Sequence, residues 1–298
     1  MTFTMQVLDS PTKLRINKRR VSLDSLSARD LDGRTWTKWS ISIWNIVKTP
    51  EERSLGHPAM FPVELCERLI RVYTRIGDVV LDPFMGSGST LVAAKKLFRK
   101  GIGFELYDYF IELARKRLNE TKANLILDLN DGNELYAVLR ELDLEPVLIK
   151  DDAINVDKYL DDGVVDMILT SPPYFNVHNR ERTSDRKERR PYGNDPRDLG
   201  NINDYNEFMR RLGNYFEKFY KVLRDGGIAA VVVMDIREGQ NFYPFHIDLH
   251  NELVNIGFKP RDIIIWDRRM EYNNIRPIGY PNKFIINKIH EYIMIYEK

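Results

Sequence analysis

The sequence predicts an α/β protein built on a mostly parallel sheet with helices on both faces. Three observations predict it. Apolar runs of strand length recur along the chain, they alternate with segments whose apolar residues repeat every three to four positions, and two of them end in glycine or proline turns. Two such strand-end loops in one α/β chain imply one shared crevice at the carboxyl ends of the strands.

Composition sets the outer bounds. A chain of 298 residues with 43% apolar and 30% charged content is long enough for one large α/β domain with embellishments. A formal net charge of +1 neither demands nor excludes a polyanionic partner, because basic residues can be concentrated on one face. Cys66 is the single cysteine, which excludes an intrachain disulfide and a thiolate metal cluster and fits a reducing cytoplasm. There is no signal-peptide core and no run of about 18 apolar residues, so a cytoplasmic protein without membrane association is expected.

Residues 1–45 read as an N-terminal arm and tryptophan-rich segment ahead of a domain at 46–298. Lys13, Arg15, Lys18, Arg19 and Arg20 cluster without an acid among them, as in a solvated or a phosphate-contacting arm. Trp36, Trp39 and Trp44 follow at irregular spacing, the mark of residues that close a core more often than they stack on bases. His57-Pro58-Ala59-Met60-Phe61-Pro62 opens a helix with Val63, Cys66, Leu69, Ile70 and Tyr73 on one face, which makes Cys66 a core residue.

The strand 79–82 runs into Asp82-Pro83-Phe84-Met85-Gly86-Ser87-Gly88 and a helix to Phe98. Residues 101–105 form a second strand ending in Glu105, and the next helix turns Phe110, Ile111, Ala114 and Leu118 inward. Residues 119–145 read as a helical excursion. A third strand, 146–149, leads to Lys150-Asp151-Asp152. The fourth, 164–169, is interrupted by Asp166 and stopped by Ser171-Pro172-Pro173-Tyr174, where proline fixes φ and leaves carbonyls unpaired.

Residues 175–203 lack periodicity, and loops beyond about 12–15 residues are usually functional or disordered. Phe208, Leu212, Tyr215, Phe216, Phe219 and Leu223 form a helical stripe closed by Gly226-Gly227. Strand 228–234, a helix at 244–256 ending at Gly257, and strands 262–266 and 291–296 complete the chain.

The glycine loop lets backbone approach a ligand closely, yet it lacks the G-x-x-x-x-G-K-[ST] pattern of a phosphate loop. An acid at the strand end, Asp82, repels phosphate and attracts an ammonium group. Glu105 stands where an acid holds ribose hydroxyls in dinucleotide folds, and Asp152 can accept from an adenine amine. Amino acid, ribose and adenine without phosphate describe S-adenosyl-L-methionine. Asp82→Ala is accordingly expected to abolish cofactor binding without unfolding the chain.

Asp82-Pro83-Phe84-Met85-Gly86-Ser87-Gly88 and Thr170-Ser171-Pro172-Pro173-Tyr174 resemble the cofactor and catalytic motifs of the DNA amino-methyltransferases, which methylate cytosine N4 or adenine N6. The segment from His57 through Phe61 and Pro62 is similar to the one that contacts the methionine part of the cofactor in that family. Matching landmarks run from Trp44 to the C-terminus, including Gly226-Gly227, Ile263–Trp266 and Ile289-His290-Glu291-Tyr292. The resemblance implies a class I S-adenosylmethionine-dependent methyltransferase fold, with a seven-stranded sheet whose last strand is antiparallel, and a gamma-like motif order. It also implies cofactor contacts at His57, Phe61, Pro62, Asp82, Pro83, Phe84, Gly86, Gly88, Glu105 and Asp152. Members of that order usually carry a large target-recognition region after the catalytic half, whereas this chain nearly ends with its last expected strand, so base reading is expected from segments beside the elbow.

An exocyclic amine is a poor nucleophile because its lone pair is delocalised into the ring. Ser171 and the Pro172 carbonyl are expected to hydrogen-bond that amine, with Pro173 stiffening the elbow and Tyr174 stacking on a base flipped out of the duplex. Cytosine-ring methylation needs a thiolate nucleophile and is excluded with Cys66 on a core face. The five histidines show no metal-ligand spacing with acids or cysteine.

Serine at the head of the elbow is commoner in cytosine-N4 enzymes, so N4-methylcytosine in double-stranded DNA is the expected product, within a restriction-modification system. Adenine N6 is the alternative, followed by an RNA methyltransferase or a catalytically silent DNA-binding subunit. A partner restriction endonuclease and a monomeric or homodimeric state are expected. Base reading falls to the loop 175–203, through Arg180, Arg182, Arg186, Lys187, Arg189 and Arg190.

Overall fold

The computed structural model describes residues 5–16, 31–55, 60–122, 142–179, 192–271, 277–279, 281–282 and 284–298. His57, Lys18–Arg20, most of the excursion at 119–145, and the basic run from Arg180 to Arg190 lie outside the described residues.

Strands β1 (Gln6–Leu8), β2 (Ile43–Trp44), β3 (Val79–Asp82), β4 (Lys100–Phe104), β5 (Val147–Ile149), β6 (Val165–Thr170) and β7 (Leu223–Val233) are followed by a small hairpin, β8 (Ile236–Glu238) and β9 (Asn241–Tyr243). β10 (Lys259–Asp267) and β11 (His290–Glu297) come last. The helices are α1 (Gly33–Trp39), α2 (Pro50–Ser54), α3 (Val63–Tyr73), α4 (Ser89–Lys96), α5 (Asp108–Glu120), α6 (Tyr205–Val222) and α7 (Phe245–Ile256).

The main sheet has nine strands in the order β1-β5-β4-β3-β6-β7-β11-β10-β2. Pairing is parallel from β1 through β7, and β11 runs antiparallel to both of its neighbours. The expected seven strands are thus the middle of a wider sheet. The two additions are edge strands of three and two residues, too short to show a period in sequence. From β3 the chain winds outward through β4 to β5, then returns to place β6 on the other side of β3. The switch point, and with it the crevice, lies at the carboxyl ends of β3 and β6.

Alternation along the strands divides the core between the two faces. Leu81, Phe104, Ile149, Ile168 and Val231 pack under Phe208, Leu212, Phe216 and Phe219 of α6 and Leu249 and Leu253 of α7. Val80, Leu148, Met167, Leu169 and Val232 pack under Leu65, Cys66 and Leu69 of α3, Leu91 and Ala94 of α4, and Ile111 and Leu118 of α5. Burial pushes the Cys66 thiol well above its ordinary pKa, as a core thiol requires.

Two sequence expectations change, and the polar break in the fourth strand gains its reason. The stripe ending at Leu223 stops at Val222, and Leu223 begins β7, so Gly226-Gly227 sits inside an irregular strand rather than closing the helix. Of the three tryptophans, Trp44 is buried while Trp36 is 46% exposed. Asp166, the polar break in an apolar strand, is buried and accepts from the Val79 amide at 2.9 Å and from Arg224 Nε at 2.7 Å, tying β6 to the start of β3 and to β7. Asp166→Ala should therefore cost about 2 kcal/mol by leaving a buried amide without its acceptor. Urea unfolding measures this, and a loss near zero would show that the tie contributes nothing.

Candidate active site

The glycine loop is shaped by its backbone. Gly86 and Gly88 have φ of 50° and 78°, a region that favours glycine. Gly88 caps α4, and a Cβ there would lie 2.9 Å from the Ala114 Cβ of α5. Arg117, buried on α5, donates from Nη1 to the Ser87 carbonyl at 2.7 Å, to Ser87 Oγ at 3.1 Å and to Ser89 Oγ at 3.2 Å. The loop is thus held from behind by a guanidinium. Sequence reading missed it because an arginine in an amphipathic helix reads as solvated.

Asp82 does not line the crevice. It is 1% exposed, and its carboxylate accepts from Thr90 Oγ1 at 2.6 Å, Thr170 Oγ1 at 2.8 Å and the Phe84 amide at 3.2 Å. This differs from the expectation of an acid presented to an ammonium group. A strand-end acid beside two threonines finds its partners inside, so replacing it disturbs both loops and does not separate ligand binding from folding.

The elbow follows Thr170 directly. Ser171 Oγ donates to the Tyr174 hydroxyl at 2.8 Å, and that hydroxyl donates onward to Glu291 Oε2 at 2.8 Å. The Tyr174 ring is 9% exposed and packs edge-on against Phe245, with centroids 6.2 Å apart.

Loop and elbow form two walls of one open cavity. Phe61, Pro83, Phe84, Gly86, Glu105, Asp152, Ser171, Pro172, Pro173 and Tyr174 all line it. Pro62 instead caps α3, and Gly88 caps α4. Sequence reading missed Tyr107, Asp151, Arg197, Asp198 and Tyr215, which also line the cavity. Asp198 accepts from the Tyr107 hydroxyl at 2.8 Å and from the Gly200 amide at 2.8 Å, which fixes the segment 192–201 as a third wall. Among the described lining residues, Glu105, Asp151, Asp152 and Asp198 face a single cation, Arg197. Such a field attracts a cationic ligand and repels phosphate.

Glu105 Oε2 accepts from the Gly86 amide at 3.0 Å, and Oε1 accepts from the amides of Leu106 at 2.8 Å and Tyr107 at 3.0 Å. These bonds favour the carboxylate. Burial outweighs them and pushes the group from 4.5 up to about 7.

A doubly wound sheet whose last strand in the chain, β11, is reversed, and an acid-lined cavity at its switch point, define a class I S-adenosylmethionine-dependent methyltransferase fold. Residues 8–116 and 165–298 match the model of the DNA methylase family of N6 and N4 methyltransferases, and the chain belongs to that family. Over 111 residues it is 44% identical to the type II methyltransferase M.HpaI of Haemophilus parainfluenzae, covering 37% of this chain and 35% of that protein. Over 180 residues it is 29% identical to M.HinfI of Haemophilus influenzae, covering 58% and 48%. The chain thus spans less than half the length of these curated relatives. A putative DNA modification methylase of Thermus thermophilus, complexed with S-adenosyl-L-methionine, is similar over 49% of this chain and 53% of its own, at 24% identity and a TM-score of 0.35.

The raised Glu105 sets a sign for pH dependence. Between its ordinary 4.5 and about 7, the unfolded chain gives up the proton that the folded protein keeps, so this group's contribution to stability is full below 4.5 and is lost as pH rises through about 7. Affinity for a cationic ligand should rise through the same window as the carboxylate ionises. Calorimetric binding and denaturant unfolding against pH, for wild type and Glu105→Gln, test this. Parallel profiles for the two proteins would contradict it.

Proposed function

We propose that the protein is a site-specific DNA methyltransferase that transfers a methyl group from S-adenosyl-L-methionine to N4 of cytosine in duplex DNA, as the modification activity of a restriction-modification system. The observation that carries this reading is the meeting of the glycine loop and the Ser171–Tyr174 elbow in one acid-lined cavity. Family membership supports DNA as the substrate. The type II relatives support a paired restriction endonuclease.

The residues present fit the cofactor. Glu105 suits ribose hydroxyls, Phe61, Phe84 and Tyr215 offer apolar and aromatic surface, and the surplus of acids suits a ligand carrying an ammonium and a sulfonium. When bound, the cofactor supplies the electrophilic methyl. The protein's own part is to hold the amine. Ser171 Oγ and the Pro172 carbonyl accept its N–H groups, so that the nitrogen lone pair turns toward the methyl. Tyr174 and the walls around it exclude water and offer a ring face to the flipped base, which offsets the few kcal/mol, roughly, spent on unstacking.

Cytosine is preferred over adenine because of the serine at the head of the elbow. Base reading belongs to the loop 175–203, with Arg180, Arg182, Arg186, Lys187, Arg189 and Arg190 as guanine and phosphate contacts. Support for this comes from the attachment of the loop. Asn179 Nδ2 donates to the Gly200 carbonyl at 2.8 Å and to Asn201 Oδ1 at 3.0 Å, and Tyr192, on the far side of the basic run, lines the cavity.

Radiolabelled methyl transfer to duplex DNA, followed by nucleoside mass spectrometry, tests the reading. N4-methylcytosine is expected, and Ser171→Ala should lower the transfer rate about 100-fold with cofactor affinity unchanged. N6-methyladenine would overturn the choice of base. Methylation of RNA alone, or of nothing, would overturn the function.

A further inference from the structure

The Tyr174 hydroxyl has three neighbours, and two of them can only accept. Glu291 Oε2 lies at 2.8 Å and the Val232 carbonyl at 3.2 Å, while the third, Ser171 Oγ, lies at 2.8 Å. A phenol has one proton to give. Burial and the nearby Glu291 charge hold the Tyr174 pKa well above its ordinary value, so that proton stays in place. It goes to the carboxylate, the charge-assisted partner. The contact between Tyr174 and Ser171 is then a hydrogen bond only if Ser171 donates. Its proton points away from the cavity, and its lone pairs are what remain to face it.

Glu291 is fixed in turn. It is 4% exposed, and its second oxygen pairs with Arg268. Arg268 forks onto Glu271 Oε2 from Nε at 3.0 Å and Nη2 at 2.6 Å, with its guanidinium 4.7 Å from the Trp266 ring centroid. Glu271 also accepts from the Lys48 amide at 3.2 Å. Neither Arg268 nor Glu291 lines the cavity, and Glu291 reaches it by hydrogen bonding through the Tyr174 hydroxyl.

We propose that Arg268 and Glu291 are positioning residues which, through Tyr174, lock Ser171 as a hydrogen-bond acceptor toward the target amine. The inference rests on the methyltransferase reading above and adds to it the residues that fix the polarity of one hydroxyl. That polarity matters because the amine must keep its lone pair for the methyl. A serine that accepts from the amine N–H enriches the nitrogen, whereas a serine that donates to the nitrogen ties up the attacking pair.

A neutron structure of the deuterated wild-type protein reads the polarity without any turnover. The deuteron on Ser171 is expected in line with the Tyr174 oxygen, and a deuteron aimed into the cavity would overturn the proposal. Kinetics read the consequence. Glu291→Gln, whose amide can donate to Tyr174 and compete with Ser171, should slow single-turnover transfer about 10- to 100-fold while cofactor and duplex affinities hold. Aspartate accepts in any orientation, so Glu291→Gln beside Ser171→Asp should cost less than about threefold relative to Ser171→Asp alone. Equal losses in the two backgrounds would overturn the proposal. A wild-type protein that binds the cofactor yet methylates no DNA would count against the proposed function instead, leaving the neutron result to decide the hydroxyl.

Discussion

The carboxylate of Asp82 joins the two halves of the crevice, and the remaining geometry depends on that junction. It sits at the end of β3, takes one hydroxyl from the first turn of α4 and another from the last residue of β6, and so couples the glycine loop to the residue before the elbow. Burial raises its pKa from 3.8 to about 6, a measure of how unfavourable an ionised group is in that place. The hydroxyl and amide donors offset the penalty only when all of them are in position. Loop and elbow are therefore set together.

Around this junction each wall has its own fixed support. Arg117 backs the glycine loop, and Asp198 with Tyr107 anchors the segment 192–201. Glu52 accepts from the Thr49 amide at 2.9 Å and from the Val63 amide at 2.7 Å, which sets the start of α3 beside Phe61. The cavity surface is left with acids, aromatic rings and backbone, while the cations that build it are turned into the frame. A field favourable to a cationic ligand follows from that sorting, since Arg197, the one cation among the described lining residues, is itself paired with Asp195 at 2.7 Å.

Much of this was legible in the chain. The four central strands, the helices α3, α5, α6 and α7, the glycine loop and the elbow all carry local signals, because apolar period and Gly or Pro turns depend on nearest neighbours. What sequence reading missed depends on distance along the chain. Glu291 meets Tyr174 across 117 positions, and Asp198 meets Tyr107 across 91. Tyr215 lay within an apolar helical stripe, and nothing in that stripe says that one ring reaches the cavity. Asp82 was found but its two threonine partners were not, since a strand-end acid has the same signature whether it faces a ligand or two neighbouring hydroxyls.

The central claim is that the cavity at the carboxyl ends of β3 and β6 holds S-adenosyl-L-methionine. Amide hydrogen exchange of the intact protein, with and without that ligand, tests it most directly. The account predicts slowed exchange in 84–87, 105–107, 151–153 and 197–199, described backbone that walls the cavity, along with Tyr174 and Tyr192. Saturable binding that leaves exchange unchanged in those segments, or slows it only elsewhere, would contradict the account.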